Sequence, residues 1–415
     1  VPATTFTVRR ALQPRDGIAF VSLREDFALG DQTSTAIDSI KTNPNISLYA
    51  FDLPHRRAVF VEVPEQASVL DGSLPFFFQQ QRALARRVHV VSFDELQTMA
   101  AGVSRRPDSV LLVYSTGRCG STLLAGILSR ASKTVVLSEP DMFTQLRSNA
   151  ISERERQALA RQATSLLLER FGGNDARVVI KFRSQVCHLW PSLDAGLSNP
   201  PSLFMYRNAI DVVQSYDHMN SSMRGMTRWL FKAPVVSTLA RVWSKRRLIK
   251  MSRAMNSAFA SILVDCSPAD VVSRSGLHGT FLLRWLRNVD AYLRALERSP
   301  GSVAALRYED LMRDERATVG ALFTRFGWPE DEVEHCCGAT QRHSQENTRL
   351  VTSSASGRLD RRSVEILLEI VEKHSRVGDA YALLPGTIQP SPLPQDAPGA
   401  DPSFARSSPH ARPPS

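Results

Sequence analysis

The chain has 415 residues, of which 43% are hydrophobic and 22% charged, with a net charge of +10. These proportions are ordinary for a globular protein, and the length holds one large α/β domain with an appendage or two ordinary domains. No run of about 18 apolar residues occurs, which excludes a membrane-spanning helix. The opening VPATTFTVRR shows neither the apolar core nor the small-residue cleavage site of a secretory signal. Five cysteines (Cys119, Cys187, Cys266, Cys336 and Cys337) form no CxxC pair. Neither a disulfide framework nor a structural zinc site is therefore expected, and a reducing, cytoplasmic setting is the simplest one.

Residues 1–105 read as a β-rich N-terminal unit of unknown role. Ser47–Phe51 and Ala58–Val63 are expected to be strands around a turn containing Pro and Arg, and Val88–Val91 a third strand before a helix capped at Asp94. From 106 to 384 strand and helix patterns alternate, which predicts an α/β fold with a parallel sheet flanked by helices. The predicted strands are Val110–Tyr114, Thr134–Leu137, Val178–Lys181, Ser202–Tyr206 and Val303–Arg307. Predicted helices are Ser121–Ser129, Glu153–Arg170, Ile210–Asn220, Leu282–Arg298 and Thr318–Phe326. An insertion at 223–264 reads as two or three basic helices. Residues 385–415 hold nine of the 24 prolines in a Ser/Ala/Pro-rich stretch, the composition of a disordered tail.

The positive charge is concentrated. Between Asp217 and Asp265 no acidic residue occurs, while Arg224, Arg228, Lys232, Arg241, Lys245, Arg246, Arg247, Lys250 and Arg253 do. Such a segment either meets an anion, as an anionic acceptor or a membrane surface, or packs through Trp229, Phe231, Leu239 and Trp243 and leaves its cations in water. It contains no recognisable nucleic-acid module, so no nucleic-acid partner is expected.

The segment VLLVYSTGRCGSTLL, Val110–Leu124, carries the strongest chemical signal. A strand enters Gly117-Arg118-Cys119-Gly120-Ser121-Thr122 and an apolar helix leaves it. Glycines at such a turn let consecutive backbone N–H groups converge on an anion. The helix N-terminus adds partial positive charge, and Arg118 adds a full one. A Walker A loop is ruled out, because Ser121 follows Gly120 where that motif needs lysine. A second segment, LFMYRNAIDVVQSY, places Arg207 and Ser215 eight residues apart at a strand-to-helix turn.

Together these segments resemble the sulfotransferases that use 3′-phosphoadenosine 5′-phosphosulfate (PAPS), and in particular the branch that includes the tyrosylprotein sulfotransferases. The resemblance covers roughly Ser109 to Val351. It implies a P-loop-like sulfotransferase fold in which Gly117, Arg118, Cys119, Gly120, Ser121 and Thr122 hold the 5′-phosphosulfate, with Cys119 standing where the family usually has serine. It further implies that Arg207 and Ser215 hold the 3′-phosphate, that Tyr308 in LRYEDL contacts the nucleotide, and that Ser344 in RHSQENT lies near the sulfuryl group. Glu139 in LSEPDMF matches the catalytic base and Lys181 in VVIKFRS the lysine that reaches the sulfuryl oxygens; Arg118 and Lys181 would stabilise developing charge. PAPS is thus the expected co-substrate. No metal-ligand cluster is visible in the sequence and no metal is expected.

The implied activity is transfer of a sulfuryl group to a hydroxyl or amine of a small molecule, glycan, lipid or protein that the sequence does not identify. The competing readings are a nucleotide-dependent kinase of related fold and a non-catalytic protein that binds the product nucleotide, 3′-phosphoadenosine 5′-phosphate (PAP). His188, His218 and His278 are alternative bases, but none lies in a segment matching a family motif.

Overall fold

A computed structural model describes residues 2–12, 21–101, 110–173, 176–224, 246–338 and 359–390. Ser344 and most of the basic insertion, 225–245, lie outside the described residues.

The described residues form two sheets. The first is formed by β1 (Ala3–Ala11), β2 (Phe27–Thr35), β3 (Ile46–Asp52), β4 (Arg57–Glu62) and β5 (Arg87–Ser92). Its five strands run in the order β2-β1-β5-β4-β3, and every neighbouring pair is antiparallel. The expected strands appear as β3, β4 and β5. Pro54 lies in the β3–β4 turn, and Arg56 closes it in the left-handed region at φ 54°. The sequence reading missed β1 and β2. The β2 segment, FALGDQTST, is an edge strand with exposed polar residues, so it lacks the apolar alternation that marks a half-buried strand. The helix after β5 is capped by Ser92 rather than Asp94. Ser92 Oγ accepts from the Glu95 N–H while Glu95 accepts from the Ser92 N–H, a reciprocal pair that Asp94 cannot make from inside the first turn.

The second sheet contains β6 (Val110–Ser115), β7 (Thr134–Ser138), β8 (Arg177–Lys181), β9 (Ser202–Tyr206) and β10 (Val303–Arg307). The order is β10-β9-β6-β8-β7, with all neighbours parallel. Every residue of β6 and β9 is buried, as expected of strands covered by helices on both faces. Aromatic rings fill the space beneath: Tyr114 stacks on Trp190 at 3.8 Å between centroids, and Phe204 on Tyr292 at 4.7 Å. The chain runs from β6 outward through β7 to β8, then crosses back to β9 and β10. This reversal makes the C-terminal ends of β6 and β9 the switch point of the sheet, the place where open α/β sheets bind ligands.

The long helix Pro268–Arg298 covers that end of the sheet. It begins well before the predicted Leu282, because Pro268 is compatible with a first helical turn and Ser267 and Asp270 form a reciprocal cap. Gly276 kinks the helix locally at φ 59°, ψ −131°. In the insertion, residues 246–253 and Asn256–Phe259 are helical. At the other end, the docked chain continues past Leu384. Ala305 N–H donates to Gly386 O at 3.0 Å and Ile388 N–H to Ala305 O at 2.9 Å, so the start of the Pro-rich stretch pairs with β10.

The two sheets are joined directly beside the β7 edge. The Gln145 side chain donates to the carbonyls of Val21 and Phe51 and accepts from the Phe51 N–H. One apolar core continues from Ile46, Leu48 and Phe51 to Phe143 and Leu167.

Candidate active site

The turn after β6 is an anion cradle in shape as well as in sequence. Gly117, Arg118 and Gly120 all have positive φ, at 76°, 55° and 77°. A Cβ on Gly117 would lie 2.2 Å from the Tyr216 hydroxyl and 2.8 Å from Ser184 Oγ, and one on Gly120 would lie 2.5 Å from Cδ2 of Tyr308. Only glycine therefore permits both the backbone conformation and the close approach. The helix Ser121–Leu128 starts directly from Gly120, so its first N–H groups face the turn. Cys119 differs from its neighbours. Its thiol is buried and donates to the Met205 carbonyl at 3.2 Å, and burial raises its pKa. Its side chain is thus a core group, and only its main chain is left for an anion.

The two signal segments meet. Arg118 Nε donates to Ser215 Oγ at 2.9 Å across 97 residues of sequence. Burial lowers the pKa of Arg118, and Arg207 works in the same direction, which places the two guanidiniums within each other's field. Arg207 lies 4.7 Å above the Tyr308 ring, the ring that also closes on Gly120. Its Nη2 is 3.4 Å from Asp211 Oδ2, while its Nε is buried without a hydrogen-bond partner among the described residues. A buried guanidinium N–H left in this state awaits an acceptor.

On the other side of the cradle, Lys181 at the end of β8 is 2% exposed. Its Nζ donates to Glu139 Oε1 at 2.6 Å and to Thr122 Oγ1 at 3.3 Å. Glu139 leaves β7 at φ 56°, and its N–H donates to Lys181 O at 2.7 Å. A non-glycine residue held in the left-handed region is strained, and such strain gathers at functional sites.

Two residues that sequence reasoning passed over complete this group. Arg183 Nε is 3.4 Å from Glu139 Oε2 and 2.8 Å from Asp141 Oδ1. The shorter contact lies off the N–H axis, so it is a charge pairing rather than a directed hydrogen bond. Asp141 is fully buried. Burial raises its pKa, against the opposing pull of Arg183, and its Oδ2 accepts from the Val21 N–H at 3.0 Å. For Arg183 the signal was available as its period-two spacing from Lys181, which puts alternate residues of an extended chain on one side; Asp141 had none, because the backbone turns at Glu139.

The N-terminal unit also reaches the site. The Phe76 ring lies 5.2 Å from Lys181 Nζ and the Phe78 ring 4.6 Å from the Arg183 guanidinium, so aromatic faces shield both cations from water. Of the alternative bases, His278 Nε2 is 3.3 Å from Asp217 Oδ1. His188 has its pKa pushed down to about 3, mainly by burial and then by Arg287 and Arg147.

The fold and this site define a class: a parallel α/β protein with a phosphate-type loop at the switch point of its sheet and a lysine–carboxylate pair beside it. The profile of the sulfotransferase family matches residues 111–332, more than half of the chain, and the chain belongs to that family. Among solved structures it is similar to the sulfotransferase domain from the curacin biosynthetic pathway, with 15% identity, a TM-score of 0.36, and 70% of this chain and 95% of that one covered. It is also similar to a sulfotransferase from Alicyclobacillus acidocaldarius, with 13% identity, a TM-score of 0.35, and 64% and 92% covered. No curated protein matches the sequence at a significant level.

Proposed function

We propose that this sulfotransferase takes its sulfuryl group from PAPS and delivers it to an acceptor hydroxyl. The residues present fit such a donor. A glycine turn has no room for a Cβ, two arginines lie within each other's field, and a buried Arg207 N–H lacks an acceptor among the described residues. When bound, PAPS would supply an activated sulfuryl group on a phosphate leaving group.

The remaining chemistry belongs to the chain. Arg207 and Ser215 bind the 3′-phosphate, and Tyr308 keeps Arg207 in place through its ring. The turn from Gly117 to Thr122, with Arg118, binds the 5′-phosphate end. Lys181 sits between Thr122 and Glu139, where it meets negative charge growing on the leaving oxygen. Glu139 accepts the proton of the acceptor hydroxyl at Oε1 or Oε2, and it becomes free to do so as Lys181 Nζ turns toward the transferring group. Phe76 and Phe78 exclude water from this corner, which strengthens every charge interaction in it.

The observation that carries the proposal is the Arg118 Nε–Ser215 Oγ contact at 2.9 Å. It brings the two anion segments within the reach of one bis-phosphorylated nucleotide. Calorimetric titration with PAP and with ATP tests it. Binding of PAP in clear preference to ATP is expected, and equal or stronger binding of ATP would move the protein to the kinase reading.

A further inference from the structure

A second group of cations lies beside the cradle. The chain leaving β8 forms the short 3-10 helix Ser184–Leu189, packed between the long helix Pro268–Arg298 and the short helix Met142–Gln145. Arg284 Nη2 donates to Ser184 Oγ at 3.2 Å, and its guanidinium lies 5.2 Å from the Tyr216 ring. Ser184 and Tyr216 are the residues that close on Gly117, so Arg284 stands directly behind the cradle. Arg287 follows one turn later on the same helical face, and Arg147 comes from the end of the Met142–Gln145 helix.

All three guanidiniums are half-buried. Burial lowers the pKa of Arg147, and Arg287 and Arg284 add to that; burial lowers the pKa of Arg287. The neighbouring His188 is held neutral in part by the same field. Arg284 is met by a hydroxyl and a ring, and among the described residues neither it nor Arg287 is paired with a carboxylate. The insertion that follows Tyr216 brings no counter-charge, since residues 218–264 contain no Asp or Glu. Like charges one helical turn apart and partly out of water oppose folding. A folded chain that keeps Arg284 and Arg287 partly out of water with no carboxylate beside them among the described residues leaves them to an anion from outside.

We propose that Arg147, Arg284 and Arg287 form an acceptor-side subsite for an oxyanion, so that the acceptor hydroxyl belongs to a molecule bearing a carboxylate, phosphate or sulfate ester group. Its acceptor role rests on the donor reading above, because the cluster is joined to Lys181 through the turn that leaves β8. The anion site itself does not depend on that reading.

The test uses the whole protein, saturated with PAP so that the nucleotide pockets are filled, and the variant Arg287→Gln. Thermal unfolding is followed while sodium sulfate is titrated against sodium chloride at matched ionic strength. Sulfate is expected to raise the melting temperature beyond chloride, and Arg287→Gln to need about tenfold more sulfate for the same rise, as for the loss of one charge-assisted contact. Without sulfate the variant is expected to melt no lower than the native chain, since a repulsion has been removed. Equal sulfate response in both proteins, no advantage of sulfate over chloride, or a variant that melts markedly lower or fails to fold would each overturn the subsite. If PAP itself fails to stabilise the native chain, the donor reading falls instead, and the sulfate comparison is then read on the protein without nucleotide.

Discussion

The ion pair between Lys181 and Glu139 gives the sharpest test of how this corner is built. The Lys181 side chain is 2% exposed and its ammonium sits 2.6 Å from Glu139 Oε1, with Arg183 3.4 Å from the other oxygen. Replacing Glu139 with Gln leaves a buried ammonium facing a neutral carbonyl. Breaking a buried pair from one side costs about 3–5 kcal/mol, and since the amide oxygen still accepts a hydrogen bond, the lower end, about 3 kcal/mol, is expected. Replacing Lys181 with Met costs less, about 1–2 kcal/mol, because Glu139 keeps Arg183 and the thioether packs under Phe76. In the double variant no unpaired ammonium remains, so it should be about as stable as Lys181→Met alone, a coupling of roughly 3 kcal/mol. Urea unfolding followed by the fluorescence of the buried Trp190 and Trp285 reads all four corners of the cycle. Losses that simply add, to within about 0.5 kcal/mol, would show that the two charges do not depend on each other, and the account of the corner would be wrong.

Further outcomes follow from the same geometry. Gly120→Ala pushes a methyl group into the Tyr308 ring at a φ of 77°, and PAP titration should show binding lost or severely weakened while the fold persists; unchanged affinity would remove Tyr308 and the turn from the nucleotide site. Arg207→Ala should weaken PAP binding by about 1.5–3 kcal/mol, roughly tenfold to a hundredfold, with little effect on ATP. For pH, His188 has a folded pKa of about 3 against 6.5 ordinarily, so its contribution to stability is present above 6.5 and is lost as pH falls. Asp194 behaves oppositely. Burial raises its pKa from 3.8 to about 7, so the folded chain retains a proton that the unfolded chain releases, and stability falls as pH rises between those values. The two slopes, each at most about 1.4 kcal/mol per pH unit, cancel over roughly pH 4 to 6.5. Relative to the native chain, denaturation midpoints should therefore fall with rising pH in His188→Gln and rise in Asp194→Asn; parallel profiles for all three would refute this assignment.

What the sequence determined by itself was local. The five parallel strands, the turn at Gly117–Thr122 and the Arg207/Ser215 spacing were legible because apolar runs, glycines and strand-to-helix switches act over a few residues. Glu139 and Lys181 were singled out by the family resemblance of the segments after the second strand and at the end of the third. Tertiary structure alone decided who meets whom. The order β9-β6-β8 puts Arg118 on Ser215, a contact no local pattern encodes. It also turns the Cys119 thiol into the core and brings Arg183 and Asp141 to Glu139. The first hundred residues gave no chemical signal, yet Phe76 and Phe78 cover Lys181 and Arg183, and Val21 and Phe51 hold the Asp141–Gln145 segment. The cluster of Arg147, Arg284 and Arg287 was equally invisible, because each residue alone reads as a solvated helix charge. Burial and the field of distant neighbours give these groups their character, and both exist only once the chain has packed.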